Sequence, residues 1–182
     1  VKELGSLDES LKTALDIMPA DSGISLNESV SQDLWQVPHD PYKMGAVFRN
    51  VVTNAVEAMP EGGVLTITAE NLRIEDQEQY PELPLNPGDY VHISFQDQGI
   101  GIPEEHLNKI FDPYFSTKPM GVQKGMGLGL ATVYAIVKSH GGHVAVDSTL
   151  GVGTTVNIYL PAQSQSVGAD AAISMKDNSA SP

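Results

Sequence analysis

The sequence predicts an α+β protein, a two-layer sandwich in which a mixed, mostly antiparallel sheet of about five strands packs on about three helices. Three observations predict it. Segments rich in β-branched residues, VLTITAENLRI, YVHISF, HVAVDS and TTVNIYL, are joined by short glycine turns or polar stretches. Segments of helical periodicity, above all those around Phe48 and Val133, alternate with them. The chain of 182 residues, 41% hydrophobic and 18% charged, is long enough for one well-cored domain and too short for two comfortable ones.

Residues 1–5 read as a linker remnant, 6–161 as the domain and 162–182 as a disordered tail. Ser6-Leu-Asp-Glu9 has capping-box spacing, and Leu7, Leu11, Ala14, Leu15 and Met18 follow at helical intervals until Pro19. GISLNESV (23–30) partly alternates and predicts a strand. VPHDP then forms a turn, with Asp40 as N-cap and Pro41 at the first helical position of a helix reaching about Met59. Met44, Phe48, Val51, Val52, Ala55 and Met59 make its core face, while Lys43, Asn50, Asn54 and Glu57 share the other side.

Glu61-Gly62-Gly63 turns the chain into a strand; the proline-rich 76–89 reads as an insertion loop, and Tyr90–Phe95 as the next strand. Pro103-Glu-Glu opens a short helix to Ile110, and 111–127 is a loop with aromatic anchors. A helix from Leu128 to Ser139 stops at Gly141-Gly142. HVAVDS and TTVNIYL pair around the GVG turn. After Pro161 the Ala/Ser/Gln-rich composition cannot build a core.

A net charge of −13 argues against a nucleic-acid binder, because such affinity comes mostly from neutralising phosphates. An acidic protein still binds a polyphosphate where a local site with a divalent cation permits, since distant charges are screened within about 10 Å. With no cysteine there is neither a disulfide framework nor a thiolate metal site, which fits the cytoplasm. No apolar run reaches membrane-spanning length, so no membrane contact is expected of this stretch.

Four local patterns carry candidate chemistry. Asn50 and Asn54 stand one helical turn apart among apolar residues; each packed amide requires polar partners, so the pair marks either a polar ligand or a solvated face. Asp97-Gln-Gly99-Ile-Gly101 follows a strand, where a carboxylate accepts from an amine and glycines let a backbone approach closely. The same string is also a common turn. Lys124-Gly125-Met-Gly127-Leu128-Gly129-Leu130 runs into a helix, either as a phosphate cradle of backbone N–H groups or as a structural cap. Gly151-Val-Gly153-Thr154 taken alone is a hairpin turn.

Their order is more specific than any one of them. Asn50/Asn54, then DQGIG, FDPYFSTK, GMGLGL and GVGT, with NAVEAMPEGG and GLGLATVYAIVKSHGG between, resembles the ATP-binding domain of sensor histidine kinases, in the GHKL ATPase superfamily, over roughly residues 6–161. The resemblance implies the GHKL ATPase fold, with ATP and Mg²⁺ as ligands. Asn54 would offer its amide oxygen to Mg²⁺, and Asn50 would bind phosphate or metal-bound water. Asp97 would accept from the adenine amine, with Gly99 and Gly101 lining the base pocket and Thr154 adding a hydroxyl. Gly125, Gly127 and Gly129 would wrap the phosphates at the helix start, and Ile102, Phe111, Leu128 and Leu130 would also contact the nucleotide. A lid over about 112–126 would hinge on Phe111, Tyr114 and Phe115, and Lys118 or Lys124 in it either reaches the γ-phosphate or is merely solvated. Met126, Glu57 and Ser116 depart from residues common in relatives.

Relatives that hydrolyse ATP carry a glutamate at the position of Asn50. An amide is not a useful base, but a neutral histidine acceptor needs none. The resemblance therefore implies transfer of the γ-phosphoryl group to a histidine on a dimerisation domain of the same kinase, with a response regulator receiver domain downstream. None of His39, His92, His106, His140 or His143 sits in the acceptor pattern. The expected fragment is monomeric, its parent a homodimer, and it does not autophosphorylate alone. A nucleotide-binding regulatory module without transfer is the competing reading.

Overall fold

The structure, a computed structural model, describes residues 1–113 and 129–164. In chain order the elements are β1 (Glu3–Gly5), α1 (Asp8–Leu15), β2 (Ile24–Val30), β3 (Val37–His39), α2 (Pro41–Ala58), β4 (Gly63–Ile74), β5 (Gly88–Gln96), a 3₁₀ turn (Glu104–His106), α3 (Gly129–Ser139), β6 (His143–Thr149) and β7 (Gly153–Pro161). Five strands form one sheet in the order β2-β4-β5-β7-β6, and β1 and β3 form a separate ribbon.

The α+β sandwich is therefore as expected. Every pairing in the large sheet is antiparallel except β2 with β4. That pair is parallel because β3 and α2 intervene, a crossover long enough to return the chain in the same direction. The alternation of β4, β5 and β7 puts Leu65, Ile67, Ala69, Val91, Ile93, Phe95, Val156, Ile158 and Leu160 in one core with Met44, Val47, Phe48, Val51 and Val52 of α2. Burying each such side chain stabilises by about 1.5–3 kcal/mol. Phe48 meets Phe95 at 5.9 Å between ring centroids, tilted by 40°.

Helix ends follow local chemistry. Asp40 caps α2, its Oδ1 accepting from Tyr42 N at 3.0 Å and Lys43 N at 3.1 Å, with Pro41 beside it. At the end of α3, Gly141 has φ +76°, Gly141 N donates to Lys138 O, and Gly142 N donates to Val137 O, a Schellman stop.

Several elements differ from the sequence reading. Residues 3–5 are a strand paired with β3, so the expected linker remnant and the VPHDP turn form a ribbon together. Neither strand has enough residues to show a period. The capping box does not form: Ser6 Oγ accepts from Asp8 N at 3.2 Å, and the helix starts after fully buried Leu7. The short helix expected from Pro103 is a single 3₁₀ turn followed by further turns. The 76–89 segment is not all solvated: Leu85 is buried with Ile74, Tyr90 and Tyr159 in a second cluster on the outer face of the sheet. Pairing continues past Pro161, where Ala162 N donates to Asp89 O and Gln163 N to Gln36 O. Among the described residues no helix is long and apolar enough to cross a membrane.

Candidate functional site

The site is built where the C-terminal half of α2, the chain after β5, the start of α3 and the β6–β7 turn meet. The apolar stripe of α2 is spent on the sheet, which leaves Asn50 and Asn54 on its flank, both half-buried. Among the described residues no protein group hydrogen-bonds either amide. Gly129, the first residue of α3, faces them: a Cβ there would stand 3.7 Å from both amide atoms of Asn54 and 3.9 Å from Asn50 Oδ1. The first turn of α3 has no acidic residue, so no side chain of that turn offsets the positive dipole end that its N–H groups form.

One turn beyond Asn54, the Ala58 carbonyl accepts from Ile100 N at 3.0 Å and ties the loop after β5 to the helix. A Cβ on Gly99 would collide with that same carbonyl. Gly101 has φ +74°, and a Cβ on it would run into the Thr149 carbonyl. The two glycines were expected to make room for a ligand; the room is taken by the protein's own backbone.

Asp97 is 8% exposed. Its Oδ1 accepts from Gly99 N at 2.9 Å and Thr154 N at 3.2 Å, while Asp97 N donates to Thr154 O at 2.8 Å. No described residue donates to Oδ2. Burial pushes the carboxyl above its ordinary range, and the two backbone N–H groups pull against that shift. A buried carboxylate with one oxygen fixed by backbone and the other open is an acceptor aimed at a donor ligand.

Thr154 and Ile102 meet at Ser148: Ile102 N donates to Ser148 Oγ at 2.8 Å, and the Ser148 and Thr154 hydroxyls are 2.7 Å apart. Phe111 packs on Tyr134 of α3 at 5.2 Å between centroids, and Leu130 is half-buried in the first turn of α3. Lys118, Lys124, Gly125, Gly127 and Leu128, with Tyr114, Phe115, Ser116 and Met126, lie outside the described residues. A cleft of about 340 Å³ opens behind the strand ends, lined by Thr66, Gln96, Asp147 and Thr155 as well as Asp97 and Thr154; neither asparagine borders it.

Sequence reasoning missed Ser148 and the Ala58 carbonyl. Ser148 ends a strand with no motif around it, and a hydroxyl just before the GVGT turn was its only signal. His140 stands just past the end of α3. It is 7% exposed, donates from Nδ1 to Ile136 O at 2.8 Å and accepts at Nε2 from Asp40 N at 3.1 Å, which fixes a neutral tautomer. Burial lowers its pKa, and Lys2 and His39 add to the shift.

Residues 39–164 match the family described as histidine kinase-, DNA gyrase B- and HSP90-like ATPase. The sensor kinase CckA of Brucella abortus is 43% identical over 138 residues, covering 76% of this chain and 14% of that protein. Sporulation kinase E of Bacillus subtilis is 32% identical over 154 residues, covering 83% of this chain and 18% of that protein. The chain thus spans well under a quarter of these relatives. The solved structure of the mycobacterial sensor histidine kinase MprB superposes with a TM-score of 0.70 at 28% identity, covering 90% of this chain and 99% of that one. An amide pair on one helix, a buried carboxylate after the central strand and a matched stretch that takes in both lead to one conclusion: this chain belongs to the histidine kinase-, DNA gyrase B- and HSP90-like ATPase family, as an ATP-binding catalytic domain related to those of sensor histidine kinases.

Proposed function

We propose that this domain binds Mg-ATP and, within a longer two-component kinase, passes the γ-phosphoryl group to a histidine on that kinase's dimerisation domain, from which a response regulator receiver domain takes it. The observation that carries this reading is the pair of half-buried amides of Asn50 and Asn54, without a hydrogen-bond partner among the described residues, against the N-terminus of α3.

The residues present fit a metal delivered with its nucleotide. Among the described residues no group of three or more His, Cys, Asp or Glu could hold an ion. Magnesium takes few protein oxygens and keeps phosphates and waters as its other ligands, and Asn54 supplies one neutral oxygen of that kind. When bound, the ion neutralises phosphate charge. Asn50 binds phosphate oxygen or a metal-bound water one turn earlier, and the N–H groups at the start of α3 donate to the polyphosphate. Asp97 Oδ2 accepts from the adenine amine. Phe111, Ile102 and Leu130 contact the nucleotide, and Lys118 or Lys124 meets the γ-phosphate.

The reaction needs positioning more than bond chemistry from the protein. The acceptor's ring nitrogen forms the new bond to phosphorus as the bond from phosphorus to the β–γ bridging oxygen breaks, and ADP leaves. A neutral imidazole already has the lone pair, so an amide at position 50 suffices where water activation would want a carboxylate. Three of this chain's five histidines are poor acceptors: His39 is 3% exposed, His140 has both nitrogens bonded, and His92 is stacked on Tyr159 with Nε2 at 2.8 Å from Asn157 Oδ1.

The test supplies γ-labelled ATP and Mg²⁺ to this chain, alone and with the parent's dimerisation domain. Acid-labile label is expected on the dimerisation domain only, and is expected to vanish with Asn54→Ala. Label on this chain alone would contradict the reading. Nucleotide binding without any transfer would favour the regulatory module.

A further inference from the structure

Ser148 makes three contacts with one hydroxyl: Ile102 N donates to it at 2.8 Å, it lies 3.0 Å from the Gly153 carbonyl oxygen, and it lies 2.7 Å from Thr154 Oγ1. A serine has one proton and two lone pairs. Only one assignment makes all three contacts hydrogen bonds: Ile102 N–H donates to one lone pair, and the serine's proton goes to Gly153 O, which can only accept. The contact with Thr154 is then a hydrogen bond only if the Thr154 hydroxyl donates into the remaining lone pair. Thr154 is left with lone pairs alone to offer any ligand.

The neighbouring carboxylate has the same polarity. Asp97 Oδ1 is occupied by two backbone N–H groups, one of them from Thr154 itself, and Oδ2 is an open acceptor. We propose that Ser148 is a specificity-determining positioning residue: by holding the Thr154 proton it keeps this end of the pocket acceptor-only, which selects a 6-amino purine and rejects a 6-oxo purine. An exocyclic amine supplies two donors to such a surface, whereas a carbonyl at the same place faces oxygen lone pairs. This rests on the reading of the pocket as an adenine site and adds to it a residue that touches no ligand.

The test compares Mg-ATP with Mg-ITP, which differ at the purine 6 position and the adjoining ring nitrogen, by calorimetric titration of the same protein. Wild type is expected to prefer ATP. Ser148→Ala frees the Thr154 hydroxyl to rotate and donate to a carbonyl, so the ratio of Kd for ITP to Kd for ATP is expected to fall at least about fivefold, the worth of one hydrogen bond. Ser148→Cys, nearly isosteric and a poor donor, is expected to follow it, and Ser148→Thr to keep the wild-type ratio. In a Thr154→Ala background, Ser148→Ala should no longer change the ratio, an outcome that a merely structural role would not produce. Thermal melts establish which variants are folded, and the cysteine variant carries the test if the alanine one is not. A folded Ser148 variant that loses its hydroxyl yet keeps the wild-type ratio overturns the proposal, as does a wild type that binds the two nucleotides equally. Failure of the wild type to bind either one speaks instead against the adenine-site reading.

Discussion

Asn54 and Gly99 both stand at the site, and their replacements are expected to fail in opposite ways. The Asn54 amide has no protein partner among the described residues, and alanine is the better helix former, so Asn54→Ala should leave the melting temperature unchanged or raise it by the equivalent of about 0.5 kcal/mol. The same change should weaken Mg-ATP binding at least about tenfold, measured by titration calorimetry. Gly99→Ala forces a side chain onto the Ala58 carbonyl, and Gly101→Ala adds a strained left-handed φ of +74° to a collision with the Thr149 carbonyl. Each should cost about 1–3 kcal/mol, lowering the melting temperature by about 2–4 °C per kcal/mol in a domain of this size. Thermal melts without nucleotide separate these cases. At this scale the sequence singled out Asn50 and Asn54 as amides that need polar partners and Asp97 as an acceptor, and the structure leaves both amides and Asp97 Oδ2 without a partner among the described residues. It could not say that the glycine clearance serves the protein's own backbone, because a string such as DQGIG reads alike whichever neighbour fills the space.

At the scale of elements, the long amphipathic pieces were legible and the short ones were not. α2 announces its start through Asp40-Pro41 and α3 its stop through Gly141-Gly142, and β4 and β7 are long enough to display their alternation. β1 and β3, of three residues each, exist only because they pair with one another, a long-range fact that no local pattern encodes. His140 shows how elements are joined: it accepts a hydrogen bond from the cap of α2 and donates one to the last turn of α3. Burial holds its pKa below the ordinary value, and His143 is lowered in the same way, chiefly by burial and further by Lys138. A histidine depressed in the folded state takes up its proton first in the unfolded chain, so stability should be full above about pH 6.5 and fall as pH drops from there through the lowered folded values. Melting temperatures between pH 5 and 8 check this. His140→Gln, whose amide oxygen still accepts from Asp40 N without titrating, should shrink the acid-side loss and leave the part due to His143.

For the molecule as a whole, the sheet is a platform that carries an amide pair against a helix N-terminus and, tied to the same helix through the Ile100–Ala58 hydrogen bond, the loop that follows a buried carboxylate, although they come from segments around residues 50, 97 and 129 of the chain. Their convergence was legible only through the order of the motifs, since no single spacing brings α2 beside the start of α3. The net charge of −13 makes the account more demanding, because a polyphosphate must be held by local polarity and a cation against a repulsive background. The most direct measurement is therefore calorimetric titration of the folded wild-type chain with ATP, with Mg²⁺ and then with the metal chelated. Saturable one-site uptake in Mg²⁺, weaker at least about tenfold once the metal is removed, is the expected result. Uptake of equal strength with and without Mg²⁺, or none at all by folded protein, would contradict an amide-held metal nucleotide at the centre of this domain.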